Sequence, residues 1–317
     1  MSKTTKRLVL GLGSVAVSAG LVVYLLSRID MAETGALLAQ ADARWLILAA
    51  LLTLSMPFSA VLRWRGVLRA VGSLRVPYFT SLRAVLMANV LNSFLPSKLG
   101  DGAKAAYLRK QGGLTQGVGT VLLERLVDLG VLGVLALLGS LQSNVLWGLL
   151  AGLALVGGVV TFFAFMLFAP LEKLPLPEKI AGMVQSVKEV FVQWRGDGAA
   201  IGQTLLGSLL TWAAGGFTVY CLAQAFGVSL SLTVAYSVFP PAILAGLLPL
   251  TVSGIGTRDA AFVALLSPYA STEQATLIGL GYTLYAYWLL SIISLPVVFW
   301  EVVAFWRGRT ERVARTS

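Results

Sequence analysis

The sequence predicts an all-α polytopic membrane protein: about six full spans plus two opposed re-entrant, broken helical hairpins arranged as an inverted repeat. Three observations lead there. Of 317 residues, 57% are hydrophobic and only 12% charged, about half the charge of a typical soluble domain. Apolar runs at 8–26, 45–62, 117–139, 145–169, 201–226 and 276–304 each reach or approach the ~20 residues that cross a bilayer. Between them, two shorter apolar stretches break at proline and glycine in the same pattern. One is Leu95-Pro96 followed by Gly100, Gly102 and Lys104; the other is Leu248-Pro249 followed by Gly254, Gly256 and Arg258.

Taken in order, Lys3, Lys6 and Arg7 precede the first run, and Arg28-Ile29-Asp30 follows it. No small-residue cleavage site is present there, so the run is read as an uncleaved first span. The second run returns the chain to an arginine-rich segment, Arg63 to Arg83. Residues 82–110 are expected to enter from that side, break at 96–102 and go back to Arg109-Lys110. Two spans then flank the polar loop Gln142-Ser143-Asn144. The stretch 171–197 mixes bases and acids after Pro170 and is read as an amphipathic cytoplasmic connector. After the 201–226 run, residues 230–268 are expected to enter from the opposite side, break at 249–256 and return. The last run leads to a basic tail, 307–317. The whole of 1–317 is thus read as one transmembrane domain.

Charge fixes the expected orientation. Of 24 Lys and Arg, 18 fall in segments assigned to one side, Arg63 among them, and only Arg28 and Arg44 on the other. The positive-inside rule then puts both termini in the cytoplasm. The expected location is the cytoplasmic (inner) membrane of a bacterial cell. The net charge of +10 is read as this orientation signal, not as a nucleic-acid surface. With no histidine and one cysteine, Cys221, metal, haem, disulfide and His-based triad chemistry lack their groups, so no metal or cofactor is expected.

Lys98, Lys104, Arg125 and Arg258 are left inside the apolar architecture. A charge at membrane depth costs at least ~2.5 kcal/mol and marks a functional position by default. Backbone freed by Pro96, Gly100, Gly102, Pro249, Gly254 and Gly256 is tolerated there only if buried in protein or lining a wet cavity. Paired breaks in two halves of a membrane protein point to a transport site, and a helix N-terminus with a base attracts an anion. Local ion pairs offer a plainer account, because Asp101 precedes Lys104 by three residues and Asp259 adjoins Arg258. Glu124 and Asp128 are four apart and share a helix face with Arg125 between them. One acid would neutralise Arg125, so the other is a candidate proton-coupling carboxylate. Asn92 and Ser253 supply an amide and a hydroxyl at the breaks, which also serve to satisfy freed backbone.

At these residues the chain resembles the flippase-like family defined by the lysylphosphatidylglycerol synthase transmembrane region. The resemblance rests on Asn92-Ser93-Phe94-Leu95-Pro96 through Gly100-Asp101, on Leu123-Glu124-Arg125-Leu126-Val127-Asp128, and on Leu248-Pro249 through Gly254-Ile255-Gly256. Asp101 and Asp259 stand where relatives often carry Glu. The resemblance implies opposed re-entrant segments and movement of lipids or lipid-linked sugars between leaflets. Larger members append a soluble aminoacyltransferase domain; no such activity, and no enzyme, is expected within these residues.

The expected function is therefore a flippase or scramblase whose partner is a membrane lipid, a phospholipid or polyprenyl-phosphate-linked sugar with an anionic head. Its expected head-binding residues are Asn92, Lys98, Asp101, Lys104, Arg125, Ser253, Arg258 and Asp259. One alternative is a membrane enzyme of phospholipid synthesis, since Asp101-Gly102-Ala103-Lys104 resembles the start of the CDP-alcohol phosphotransferase motif. Its metal would need clustered acids, and the next acid is Glu124. The other alternative is a small-solute or ion transporter, which would share the broken helices.

Overall fold

The computed structural model describes residues 3–72, 76–108, 114–168 and 177–316, and every regular element among them is helical. Side chains of 3–12, 96–98, 178–179, 302 and 305–316 are outside the description, as are Arg75, Arg109, Lys110 and residues 171–176 of the expected connector.

The first helix is α1, Lys3–Ser27. It turns by 86° into a short helix, α2, Met31–Ala39. Asp30 makes that turn, its carboxylate accepting the N–H groups of Ala32 and Glu33 as an N-cap. Asp42 caps α3, Ala43–Ala70, which carries Pro57. Next come α4, Tyr78–Phe94; a 3-10 turn, Pro96–Asp101; α5, Gly102–Leu108; α6, Leu114–Ser143; and α7, Leu146–Phe168.

The connector is α8, Glu178–Arg195. Its apolar face is firmly packed: Val190 and Phe191 are buried beside Trp64 and Leu123. The Phe191 ring stacks on Phe163 at 4.5 Å, and the Trp194 indole donates to Thr204. Asp197 then caps α9, Gly198–Ala225.

Beyond it lie α10, Leu232–Leu247, with Pro240 and Pro241 inside, and α11, Thr257–Leu266. The last long helix runs as α12, Thr272–Thr283, a π-helical turn Leu284–Leu289, and α13, Leu290–Thr316. A π turn inside an α-helix frees backbone groups and often sits at a functional site. Here the Tyr287 carbonyl accepts from Ser93 of α4.

Among the described residues, four helical segments are long and apolar enough to cross a membrane: 43–70, 146–168, 198–225 and 272–301. A fifth counts if the bent α1–α2 pair is one span. The chain is an integral membrane protein. The 117–139 run becomes the 30-residue α6, which holds Glu124, Arg125 and Asp128.

Two contacts position the site. α3 and α9 pack along their length with no room for side chains at the crossing: a Cβ on Gly66 would lie 2.5 Å from the Thr204 hydroxyl. One on Gly207 would overlap the Arg63 backbone. Second, the helices on either side of each break, α4 with α5 and α10 with α11, pack against each other. The 3-10 turn after α4 also touches the Val252–Gly254 turn after α10. The two breaks meet.

Candidate functional site

The first break begins where Pro96 opens a 3-10 turn, a place where its missing N–H costs nothing. Gly100 lets that turn lie against α4, since a Cβ there would stand 2.5 Å from the Asn92 backbone nitrogen. Gly102 is different from the expectation. Its backbone is ordinary right-handed helix and nothing lies within 4 Å of where its Cβ would be. It is not a required break.

At the second break, Pro249 follows the end of α10. Ser253, Gly254 and Gly256 have φ of 56°, 77° and 92°, a region costly for residues with a side chain. The two Gly-x-Gly elements are therefore alike in sequence and unlike in geometry.

Lys104, in α5, is 1% exposed. Its Nζ donates to both oxygens of Glu124 at 2.8 Å and lies 3.6 Å from Asp101. The local pair expected with Asp101 is thus the longer contact; the main partner is twenty residues away on α6. Glu124 also accepts from Arg63 at 2.5 Å and Arg125 at 3.1 Å. Arg63 reaches on to Asp128 at 2.9 Å, and Arg125 bridges Asp128 at 3.1 Å and Asp101 at 3.3 Å. Ser208 of α9 donates a short hydrogen bond to Asp128, and the Asn92 amide donates to Asp101 at 3.2 Å.

Three bases and three acids thus close one buried network across α3, α4, α5, α6 and α9. Arg63 corrects the sequence reading. Counted there among the cytoplasmic arginines, it is 3% exposed and bound to two carboxylates. Close packing of α3 on α9 carries it inward. The count changes the reading of α6 as well. Neither Glu124 nor Asp128 is a spare acid, because each is held by at least two bases.

Arg258, in α11, is 1% exposed. It makes no direct ion pair with Asp259, contrary to the local pairing considered from sequence. Its guanidinium donates to Thr283 at 2.7 Å, and that hydroxyl donates to Asp259 at 2.5 Å. A second N–H reaches the Ser253 carbonyl at 3.2 Å. The guanidinium lies 4.0 Å from the Tyr287 ring centre and 5.7 Å from that of Tyr282, both cation–π distances. Asp259 meanwhile accepts the Gly256 N–H at the start of α11. The Nε of Arg258 and the hydroxyl of Ser253 are buried with no hydrogen-bond partner.

Between these groups is a cavity of about 90 Å³. Asn92, Asp101, Lys104, Arg125 and Arg63 line one side; Tyr282 and Tyr287 line the other, with Trp212 of α9. Arg258, Asp259 and Ser253 do not line it; the tyrosines stand between. Lys98 lies outside the described side chains. Trp212, Tyr282 and Tyr287 went unremarked in the sequence, where each is one aromatic among many in an apolar run. Among the described residues, no three His, Cys, Asp or Glu are arranged to hold a metal ion. The acids of this site face bases instead.

A family model described as the lysylphosphatidylglycerol synthase TM region matches residues 11–294. The chain is also 23% identical, over 248 residues, to a UPF0104 membrane protein of Methanothermobacter thermautotrophicus; the match covers 70% of this chain and 73% of that one. A UPF0104 membrane protein of Methanocaldococcus jannaschii is 26% identical over 196 residues, 56% of this chain and 78% of its own.

Proposed function

The chain belongs to the lysylphosphatidylglycerol synthase transmembrane-region family, and on that premise we propose that it is a lipid flippase or scramblase. It moves a phospholipid or lipid-linked sugar with an anionic head between leaflets. The observation that carries this is the polar cavity bordered by the first break and its ion network, in a chain whose outer helix faces are otherwise apolar. A headgroup leaving water needs fixed charges and dipoles to replace hydration. Arg125 is the cation it meets: 26% exposed and lining the cavity. The tails stay in lipid while the head crosses.

In this reading α4–α5 and α10–α11 are two re-entrant hairpins entering from opposite sides, the halves of an inverted repeat whose tips touch. Six spans and a cytoplasmic location of both termini complete the topology. Glu124 and Asp128 hold the cations in place; a proton-coupling role for either has to act through that network.

The test is reconstitution of the full chain into vesicles carrying a phospholipid with a head-attached fluorophore. An added membrane-impermeant reductant should bleach both leaflets when the protein is active. Lys104→Met, which empties the main partner of Glu124, should restore protection of the inner leaflet. Protection in wild-type vesicles, whatever labelled lipid is used, would overturn the proposal and favour transport of a water-borne solute.

A further inference from the structure

The α3–α9 pair has a second face. Gly66 against Thr204, Arg63 against Gly207 and Ser59 against Thr211 close the pair in one antiparallel register, and the polar cavity lies on one side of it. On the other side runs a groove of about 720 Å³ that shares no lining residue with the cavity. Its α3 wall is Leu52, Ser55, Phe58, Ser59, Leu62 and Arg65, one helical face at spacings of three and four. Leu210 and Phe217 stand on the α9 wall, and Phe58 and Leu210 at the rim are 54% and 48% exposed. The groove is open from outside, and its size is that of an ordinary ligand pocket.

Its two ends differ. Among the described residues that line it, one is charged: Arg65, which is partly exposed. The guanidinium donates to the Val76 carbonyl at 2.7 Å and stands 6.0 Å from the Tyr78 ring centre. That hydrogen bond uses one of the five N–H donors a guanidinium carries. Arg69, one turn further along the same face, is paired at 3.2 Å with Asp197, so this end keeps a net positive charge. Arginine and tyrosine are residue types that settle at headgroup level. Toward Leu52 the lining turns apolar, and its polar groups are occupied: the Ser55 and Tyr236 hydroxyls and the Gln203 amide donate to backbone carbonyls.

Length identifies the occupant. From Leu52 to Arg65 is thirteen residues of α3, ~20 Å at 1.5 Å each. Half a bilayer with its headgroup region is ~20–22 Å thick. A groove one monolayer long, with a cation at the head end and apolar walls beyond, matches a phospholipid. The groove between α6, α7 and α9 is of similar size, about 570 Å³, but no described residue lining it is charged, so nothing there fixes a head. We infer that the Arg65 groove holds a resident anionic phospholipid, its phosphate on Arg65 and one acyl chain laid along α3 and α9 toward Phe217. Because the helix pair is closed, this lipid does not pass through to the polar cavity. It is a fixed lipid and not cargo, and the inference stands independently of the transport function proposed above.

The experiment is native mass spectrometry of the full chain, stripped of lipid in detergent and titrated separately with dioleoylphosphatidylglycerol and dioleoylphosphatidylcholine. The first molecule bound should favour the anionic lipid about fivefold, the worth of one base near an anionic surface. Arg65→Gln should erase that preference, and Arg65→Lys should keep it. Ser55→Trp, which sets a ring across the groove from an exposed position, should weaken both lipids about tenfold by taking the apolar area the chain would cover. Val134→Trp, in the uncharged groove, should change neither. A preference that survives Arg65→Gln overturns the inference, because the head is then read elsewhere, the polar cavity included. Tight binding that survives Ser55→Trp overturns it too. A lipid-free dimer that Ser55→Trp splits would give the groove to a second copy of the chain instead. Should Ser55→Trp fail to fold, the two Arg65 variants decide.

Discussion

Replacing Glu124 by glutamine tests whether the six-charge network is architecture or a proton site. The carboxylate is 0% exposed and receives Lys104 at 2.8 Å on both oxygens, Arg63 at 2.5 Å and Arg125 at 3.1 Å. The amide keeps the shape, removes one negative charge and turns an N–H₂ toward three cations. The network is left with an uncompensated positive charge around a fully buried position. Removing one partner of a buried ion pair costs about 3–5 kcal/mol. At ~2–4 °C per kcal/mol, the melting temperature of the purified protein should fall by about 6–20 °C. Fluorescence-detected size-exclusion melts read this on small amounts of membrane protein. A matching loss of charge should repair it: Glu124→Gln with Lys104→Met restores neutrality and should recover part of the melting temperature, a coupling of about 0.5–3 kcal/mol for residues in one network. The architectural reasoning fails if Glu124→Gln melts like wild type while transport loses its response to a proton gradient. That result would mark Glu124 as protonated in the resting protein.

Three further outcomes follow from the geometry. Gly100→Ala should lower the melting temperature, by the ~1–3 kcal/mol typical of overpacking, because its Cβ would meet the Asn92 backbone; Gly102→Ala, with open space around it, should melt like wild type or slightly higher. Arg258→Lys keeps the charge but loses the planar stack on Tyr287 and the hydrogen bonds to Ser253 and Thr283, so vesicle transport should drop well beyond tenfold while the protein still inserts, since Arg and Lys differ most at stacked sites. Cysteines at Gln142 and Thr272, both exposed, should react with an impermeant maleimide from outside intact cells, and one at Gln185 should not. Labelling of Gln185 together with Thr272 would refute the opposed hairpins.

The sequence carried the fold class because helices in a bilayer must satisfy their own backbone, which leaves long apolar runs as a direct imprint. It carried much of the site for a related reason. Asp101, Lys104, Glu124, Arg125 and Asp128 are charges in apolar surroundings, and the structure brings all of them together. Arg63 was missed because it follows the apolar run and precedes Arg65 and Arg69, like any cytoplasmic flank. Its helix face held the signal: Met56, Ala60 and Val67 share it at spacings of seven, three and four, whereas Arg65 points away. The hydroxyl relay from Arg258 through Thr283 to Asp259 joins two separate helices, and no local spacing encodes it. Trp212 and Tyr287 were unreadable for the same reason, as their roles exist only once α9 and the π turn stand beside α4.

The side-chain-free crossing of α3 and α9 has a mechanical consequence. Two helices whose backbones touch at Gly66 and Gly207 cannot slide past each other without collision. They must travel as one rigid strut, and Arg63 rides on it. Any cycle that opens the cavity first to one leaflet and then to the other therefore needs its hinge elsewhere. The slender seam between the two break turns, with Ser253 and Gly254 in left-handed backbone beside it, is where the moving parts can part company. Lever and fulcrum are thus separated along the chain: stiffness is written in small residues on α3 and α9, and compliance in the turns that α4 and α10 end on.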